Sequence, residues 1–418
     1  MIGADSLLRA REPSALAGAR RLTVFYDERP IPASDADTVT SALLGVGVVA
    51  TGRSLKYRRP RGPYCLQGDC GTCLVRIDGV PNHRACTTPV RDGMRVERQN
   101  RVLAGGPDPT ALVDRLFASN IDHHHFMVRP KLVNRMMQDV ARNLAGLGTL
   151  PDLPAAAVRP MEHRPQVLVV GAGRSGLAAT ARLRAAGLEV ECLDRFDARW
   201  STPTAQAVRW ETPVFGIYPA EGVIAAIGGT ADDRTLHTFR PSHVLIATGA
   251  RDVMVPVPNN DLPGVFAARG LLGLLTRTDT ALNCPTIVVG APAVAQPLAA
   301  RLGASFVAVD DVQAILGGSR VEAIATSSGK REAGCVALAA RPAPVSELAR
   351  QAGAEVVWMD AGFAVARDEL GRCGQGPWTL WACGEACGVT ADVAADDGLR
   401  VADNILAAVR SRPDRGPR

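Results

Sequence analysis

One stretch constrains this chain more than any other: VLVVGAGRSGLAATARLRAAGLEVECLDR, residues 167–195. An apolar run enters a glycine turn, an amphipathic helical pattern follows, and a second apolar run ends on an acid, which together spell one βαβ unit. Gly171, Gly173 and Gly176 form G-x-G-x-x-G. In such a turn the first glycine allows the bend, the second lets a pyrophosphate approach the backbone, and the third lets helix and strand pack. The helix N-terminus, with Ser175 in its first turn, suits an anion, and Asp194, followed by Arg195, can accept from ribose hydroxyls. A weaker copy, TIVVGAPAVAQPLAARLGASFVAVDD, spans 286–311. Duplication of this kind argues for two nucleotide-type domains. In the copy Gly290 keeps the first glycine, but Pro292 and Ala295 stand at the second and third positions. Proline removes an N–H and adds bulk. Asp310 could still meet a ribose, yet NAD(P) binding is not expected at this second site.

The other constraint is CLQGDCGTCLVRIDGVPNHRAC, in which Cys65, Cys70, Cys73 and Cys86 follow C-x4-C-x2-C-x12-C. The first three match plant-type [2Fe-2S] spacing. Gly68 and Gly71 let the backbone curl and aim N–H groups at sulfur. Structural zinc is the competing reading, but zinc sites commonly use two C-x2-C pairs and only one is present, so the spacing favours the cluster. Around the loop, RLTVFYDERPIPA reads as a hairpin and TVTSALLGVGV after SDAD as a capped helix. A further hairpin crosses Asp78-Gly79, and DGMRVERQ reads as a last strand. The fold class expected is α/β: a ferredoxin-like [2Fe-2S] domain of mixed β-structure with a helix, then a Rossmann-like module with a shortened inserted second domain.

The 418 residues exceed what one core accommodates. The boundaries expected are a flexible leader at 1–20, the [2Fe-2S] domain at 21–103, and a helical connector and linker at 104–165. The dinucleotide domain takes 166–250 plus 346–410, the degenerate insert 251–345, and a tail 411–418. In the connector, Leu132, Val133, Met136, Met137, Val140 and Leu144 recur at helical spacing. The consecutive His123, His124 and His125 point in different directions on any regular element and read as a surface or interface turn. The net charge of +5 comes without any run of five like charges, and aromatic residues are 4%, so nucleic-acid binding is not expected. No apolar stretch reaches spanning length and no secretory signal opens the chain, so a cytoplasmic protein is expected. In that compartment clustered thiols bind metal or react rather than form disulfides. Cys383 and Cys387 read as small buried side chains rather than a redox pair, and Cys192, Cys284, Cys335 and Cys373 as inert thiols.

Further motifs carry a resemblance. The turn Ala247-Thr248-Gly249 resembles the one that returns the chain to the dinucleotide in two-dinucleotide flavoproteins. WACGEACG resembles their final G-D motif, with Gly384 retained and Glu385 in place of the usual Asp. These likenesses imply FAD at the first site. The order of parts, GRSLKYRRPRG at 52–62 and NRVLAGGPDP at 100–109 resemble the α subunit of heterotetrameric sarcosine oxidase. The cysteine region is similar to the small subunit of hydrogen cyanide synthase and of related opine and proline or hydroxyproline dehydrogenases.

This resemblance, running from about 20 to 410, implies an electron-transfer subunit holding FAD and a [2Fe-2S] cluster. Its implied partner is a glycine-oxidase-like or sarcosine-oxidase-β-like FAD subunit, in a hetero-oligomer that oxidises an amine or imino acid. The chain ends after GLRVADNILAAV, where sarcosine oxidase α subunits continue into a folate-binding domain, so folate-linked chemistry is not expected. No nucleophile-base or carboxylate pair placed to act on substrate is found in the sequence, and no catalytic residue is assigned. A self-contained NAD(P)H reductase feeding an oxygenase is the competing function. A scaffold that has lost FAD is the third.

Overall fold

In the computed structural model, residues 6–10, 20–54, 59–99, 158–197, 208–229 and 234–411 are described. The connector and linker up to residue 157, the triple histidine and the tail beyond Ser411 lie outside them; the end of the expected linker, Arg159–His163, is instead a strand that pairs in parallel with Arg234–Phe239. Strands β1 (Arg21–Tyr26) and β2 (Arg29–Ser34) form the first hairpin. Its two turn residues, Asp27 and Glu28, both take positive φ, as a two-residue hairpin turn requires. Helix α1 (Val39–Gly45) begins after Thr38, whose hydroxyl accepts from the Ser41 N–H while Ser41 Oγ accepts from the Thr38 N–H. This reciprocal pair, rather than the preceding acids alone, closes the helix start. Strands β3 (Leu74–Ile77) and β4 (Val80–Arg84) turn at Asp78-Gly79, again with both φ positive. Strand β5 (Arg95–Arg98) inserts between the two hairpins, giving the order β2-β1-β5-β3-β4. The β1–β5 contact is parallel and the rest antiparallel.

Next come β6 (Val167–Val170), α2 (Arg174–Ala185), β7 (Val190–Leu193) and β8 (His243–Ile246). The insert supplies β9 (Val265–Ala267), α3 (Ala268–Arg277), β10 (Thr286–Gly290), α4 (Pro292–Leu302), β11 (Ser305–Ala308) and β12 (Cys335–Ala339). The chain closes with β13 (Arg372–Gln375), β14 (Thr379–Ala382) and α5 (Ala394–Arg410).

Among the described residues there are two compact units: the N-terminal module with 254–340, and 158–253 with 341–411. In the second unit the sheet runs β7-β6-β8-β14-β13, parallel except for the β13–β14 pair. VLVV and HVLI are buried along their whole length, which is why they read as unbroken apolar runs rather than alternating ones. One face packs Val167, Val169, Leu183, Trp381, Val401 and Ile405; the other packs Leu168, Val170, Ile246, Ile224 and Phe239. In the first unit β9-β12-β10-β11 form an all-parallel sheet. A single apolar cluster joins Val24, Leu43 and Val75 of the N-terminal module to Phe266, Leu271 and Val288 of the insert.

The N-terminal leader, expected to be flexible, contains an ordered piece. Leu8–Ala10 is a strand pairing antiparallel with Thr280–Leu282. Leu7 and Leu8 are buried, the Leu7 N–H donates to Leu44 O, and Leu7 O accepts from the Asn283 N–H. Burial of two leucines and a backbone ladder offset the ordering entropy that a short terminal segment otherwise retains.

Candidate metal centre and dinucleotide site

The loop that follows Tyr64 curls through three left-handed residues, Leu66, Gly68 and Gly71. The curl turns backbone N–H groups onto one sulfur: those of Gln67, Asp69 and Cys70 donate to Cys65 Sγ at 3.5, 3.2 and 3.4 Å. At Gly68 a Cβ would come within 3.0 Å of the Thr87 methyl, so the loop also needs glycine for space. Cys73 and Cys86 lie with sulfurs 3.4 Å apart, and Cys70 Sγ is 3.1 Å from the Thr72 hydroxyl. Cys65, Cys73 and Cys86 are buried and Cys70 is exposed.

These thiols do not ionise independently. Hydrogen bonds from Cys70 and Cys86 hold Cys65 down at about 2, and contact with Cys86 holds Cys73 down. The same contacts push Cys70 and Cys86 up. Four thiolates at such range require countercharge, which the two ferric ions of a [2Fe-2S] cluster held by these cysteines would supply. Among the described residues no group of three or more His, Cys, Asp or Glu is arranged around a single metal-ion position.

The dinucleotide site is built at the C-terminal end of β6. Gly171 has φ 106°, and a Cβ there would meet the carbonyl oxygen of Ala247; one on Gly176 would meet the carbonyl of Gly171. The strand β6, the 247–249 turn and α2 therefore approach as only glycines allow. Gly173 caps α2 with no side-chain cap hydrogen bond, so the first-turn N–H groups need an acceptor that no cap side chain among the described residues supplies. A pyrophosphate fits that requirement.

Asp194, just beyond β7, has one carboxylate oxygen accepting from the Ala172 N–H at 2.6 Å and the other from the Phe196 N–H at 2.9 Å. Burial pushes its carboxyl up and those N–H groups pull it down. Its acid thus braces the glycine loop. The Arg195 guanidinium lies 4.7 Å from the Phe196 ring centroid. The Thr248 hydroxyl donates to Val345 O at 2.6 Å and Gly249 takes φ 72°, so this turn is fastened to the returning chain.

Ser175 lies in the first turn of α2 and packs against later parts of the chain. It is 5% exposed, and a Cβ on Gly384 would meet its hydroxyl while one on Gly398 would meet its backbone carbonyl. The side chain links α2 to the Gly384 turn, so an anion at the helix start would rest on backbone N–H groups. Gly384 and Glu385 lie in a short 3-10 turn, Gly384–Cys387, with Gly384 at φ 70°.

Behind that turn is a set that motif reading did not find. Asp397, in the first turn of α5, accepts from the Gly384 N–H at 2.8 Å, from Arg367 at 2.9 Å and from Arg400 at 2.8 Å. Arg367 also donates to Ala382 O at 2.9 Å. Burial pushes the Asp397 carboxyl up, but Arg367, the Gly384 N–H and Arg400 hold it below its ordinary range. The pairing of Asp397 with Arg367 crosses 30 residues and has no local pattern. Burial pushes Cys383 and Cys387 up to about 12, which keeps both thiols neutral and fits the inert reading.

In the insert, Gly290 lies outside the left-handed region, although a Cβ on it would meet Ala339 O. Ala291 is the N-cap of α4, Pro292 occupies its first turn, and Ala295 is fully buried. Asp310 is exposed in the 3-10 turn Val309–Asp311. Gly290 keeps the close packing without the left-handed turn found at Gly171.

Residues 19–101 match the family model described as 2Fe-2S iron-sulfur cluster binding domain. The sarcosine oxidase subunit alpha of Rhizobium meliloti (strain 1021) is 28% identical over 306 residues, covering 61% of this chain and 30% of that protein. The hydrogen cyanide synthase subunit HcnA of Pseudomonas aeruginosa is 39% identical over 79 residues, covering 19% of this chain and 75% of that one. The chain spans 30–33% of the length of the sarcosine oxidase α subunits it matches. Among solved structures, L-proline dehydrogenase from P. horikoshii superposes with a TM-score of 0.69 at 17% identity, over 95% of this chain and 75% of that one. That likeness shows a shared fold.

Proposed function

We propose that this chain, which belongs to the α-type subunits of heteromeric amine and imino-acid oxidoreductases, is the electron-transfer subunit of such an enzyme. It is an oxidoreductase subunit with a [2Fe-2S] domain and a flavoprotein-type fold. The finer reading assigns FAD to the Gly171 turn and the cluster to Cys65, Cys70, Cys73 and Cys86. The donor would be a CH–NH or CH–NH2 group oxidised in a partner flavoprotein subunit of the glycine-oxidase or sarcosine-oxidase-β kind.

The observation that carries this is one chain's possession of both a thiol loop with sulfur-directed N–H groups and an intact glycine turn. FAD takes a hydride as an electron pair and a [2Fe-2S] cluster passes electrons singly, so the two together connect substrate oxidation to a one-electron acceptor. The protein's own part is placement. The α2 N-terminus and the Gly171 turn would hold the pyrophosphate, and Asp194 would brace the loop beside the ribose. The Gly384 turn, fixed by Asp397, would border the flavin's ribityl chain. Loss of the second turn to Pro292 argues against direct use of a nicotinamide.

The test is anaerobic expression with and without a glycine-oxidase-like partner. Flavin, iron and acid-labile sulfide are assayed first, then absorbance is followed as NADH, NADPH and imino acids are added. Bleaching by an imino acid only with the partner present is expected. Bleaching by a nicotinamide with the chain alone would overturn the assignment and make the chain a reductase.

A further inference from the structure

The sulfur-bearing loop is fastened to the insert at its entrance, and the fastening converges on one carboxylate. Arg61 and Arg59, four and six residues before Cys65, both pair with Asp261, the Arg59 contact at 3.6 Å. Arg59 also donates to Asn259 Oδ1 at 3.2 Å. Asn259 takes a left-handed φ of 62°, and its Nδ2 donates to Ile315 O at 2.9 Å, so the turn carrying Asp261 is itself anchored. Between the arginines and the cysteine, Gly62 runs so close that a Cβ would meet Val49 O and lie 3.3 Å from the Pro263 side chain. Tyr64 O then accepts from the Ala267 N–H at 2.9 Å. Finally Tyr64 and Cys65 are buried in the apolar cluster of Val255, Val257, Leu262, Val265 and Ala267, all residues of the insert.

We propose that Asp261 is a positioning residue for the iron–sulfur centre, and that the insert, which has lost its anion-binding turn, serves as the seat that covers the Cys65 side of the cluster. The inference rests on the cluster reading of the four cysteines. An apolar cover over one ligand sulfur disfavours added negative charge, and so holds the reduction potential down. Asp261 maintains that cover by neutralising two arginines that would otherwise leave the turn. Nothing in the sequence pairs a residue at 261 with a loop 200 positions earlier.

The test compares wild type, Asp261→Ala, Asp261→Glu and Gly62→Ala in the full chain, with Asp360→Ala as control. Asp360 makes an exposed pair with Arg341 in the other unit. The readouts are cluster reduction potential, the electron paramagnetic resonance spectrum of the reduced cluster, and the rate of visible bleaching under a chelator. With charge-assisted hydrogen bonds removed from a half-buried site, Asp261→Ala should bleach about five- to tenfold faster. Its potential should rise as water reaches Cys65, with flavin content unchanged. Gly62→Ala should move the same readouts in the same direction, Asp261→Glu should retain most of the wild-type behaviour, and Asp360→Ala all of it. An unchanged or lowered potential in both Asp261→Ala and Gly62→Ala, with cluster present, would overturn the proposal alone. Wild type lacking iron and sulfide after reconstitution would overturn the cluster reading, and this proposal with it.

Discussion

The two strand–turn–helix units begin alike and end in different uses. Val167–Val170 and Thr286–Gly290 are both buried parallel strands flanked on each side by parallel partners. Each first glycine lies against the carbonyl of a neighbouring strand's end, Ala247 for Gly171 and Ala339 for Gly290. Beyond that point Gly171 turns left-handed into an uncapped helix start, whereas Gly290 leads through Ala291 into a proline. The fold needs the glycine for close packing, and anion binding needs the turn and the free N–H groups after it. A chain can keep the first requirement and abandon the second.

Five substitutions bear on that comparison. The largest effect belongs to the unit whose turn is degraded but whose thiols are intact. Cys70→Ser should eliminate nearly all bound iron and acid-labile sulfide while flavin content stays at the wild-type level; unchanged iron would remove Cys70 from the ligand set.

The matched pair Gly171→Ala and Gly290→Ala comes next. Each introduces a Cβ against a backbone carbonyl, but only Gly171 adds a forbidden φ, with strain of about 1–3 kcal/mol. Flavin affinity, titrated on apoprotein, should fall about 10- to 100-fold for Gly171→Ala. Gly290→Ala should lower thermal stability and leave flavin affinity alone. Equal flavin loss in both would abolish the distinction between the turns.

Asp397→Asn, which keeps the shape behind Gly384 and removes the charge, should weaken flavin binding by about tenfold. Because the Asp397 carboxyl is depressed in the folded state, its contribution is complete above the unfolded carboxylate range and is lost as pH falls through the folded value. Flavin release in wild type should therefore steepen below about pH 4, and Asp397→Asn should flatten it. A release profile identical in the two proteins would place the acid sensitivity elsewhere.

The smallest effect concerns His163 and His237, whose ring nitrogens lie 3.0 Å apart in the unit with the intact turn. Burial, then nearby Arg209, lowers both. Their folded values being depressed, the unfolded chain binds more protons below about pH 6.5, so stability declines as pH falls from there. The loss should be reduced in His237→Gln, read as the melting temperature between pH 7.5 and 5.5. A slope unaffected by the substitution would exclude the pair as its source.

Local chemistry was legible from local sequence. The Asp78-Gly79 turn, the apolar strands around the glycine turn and the cysteine spacing were all readable because each depends on residues a few positions apart. The same is true of Pro292, whose missing N–H is a property of the residue itself. By contrast, what Ser175 packs against was not legible, because its surroundings are Gly384 and Gly398, more than 200 residues onward. Asp397 behind Gly384, Asp261 beneath Arg61, and Leu8 in a strand with Leu282 share that origin. The sequence by itself determined which segments carry the thiol spacing and the glycine turn that such binding would use, since those features lie in residue type and short spacing. Only the tertiary structure decided which distant acid, glycine or leucine completes each segment, because burial and ion pairing are settled by what the folded chain brings alongside.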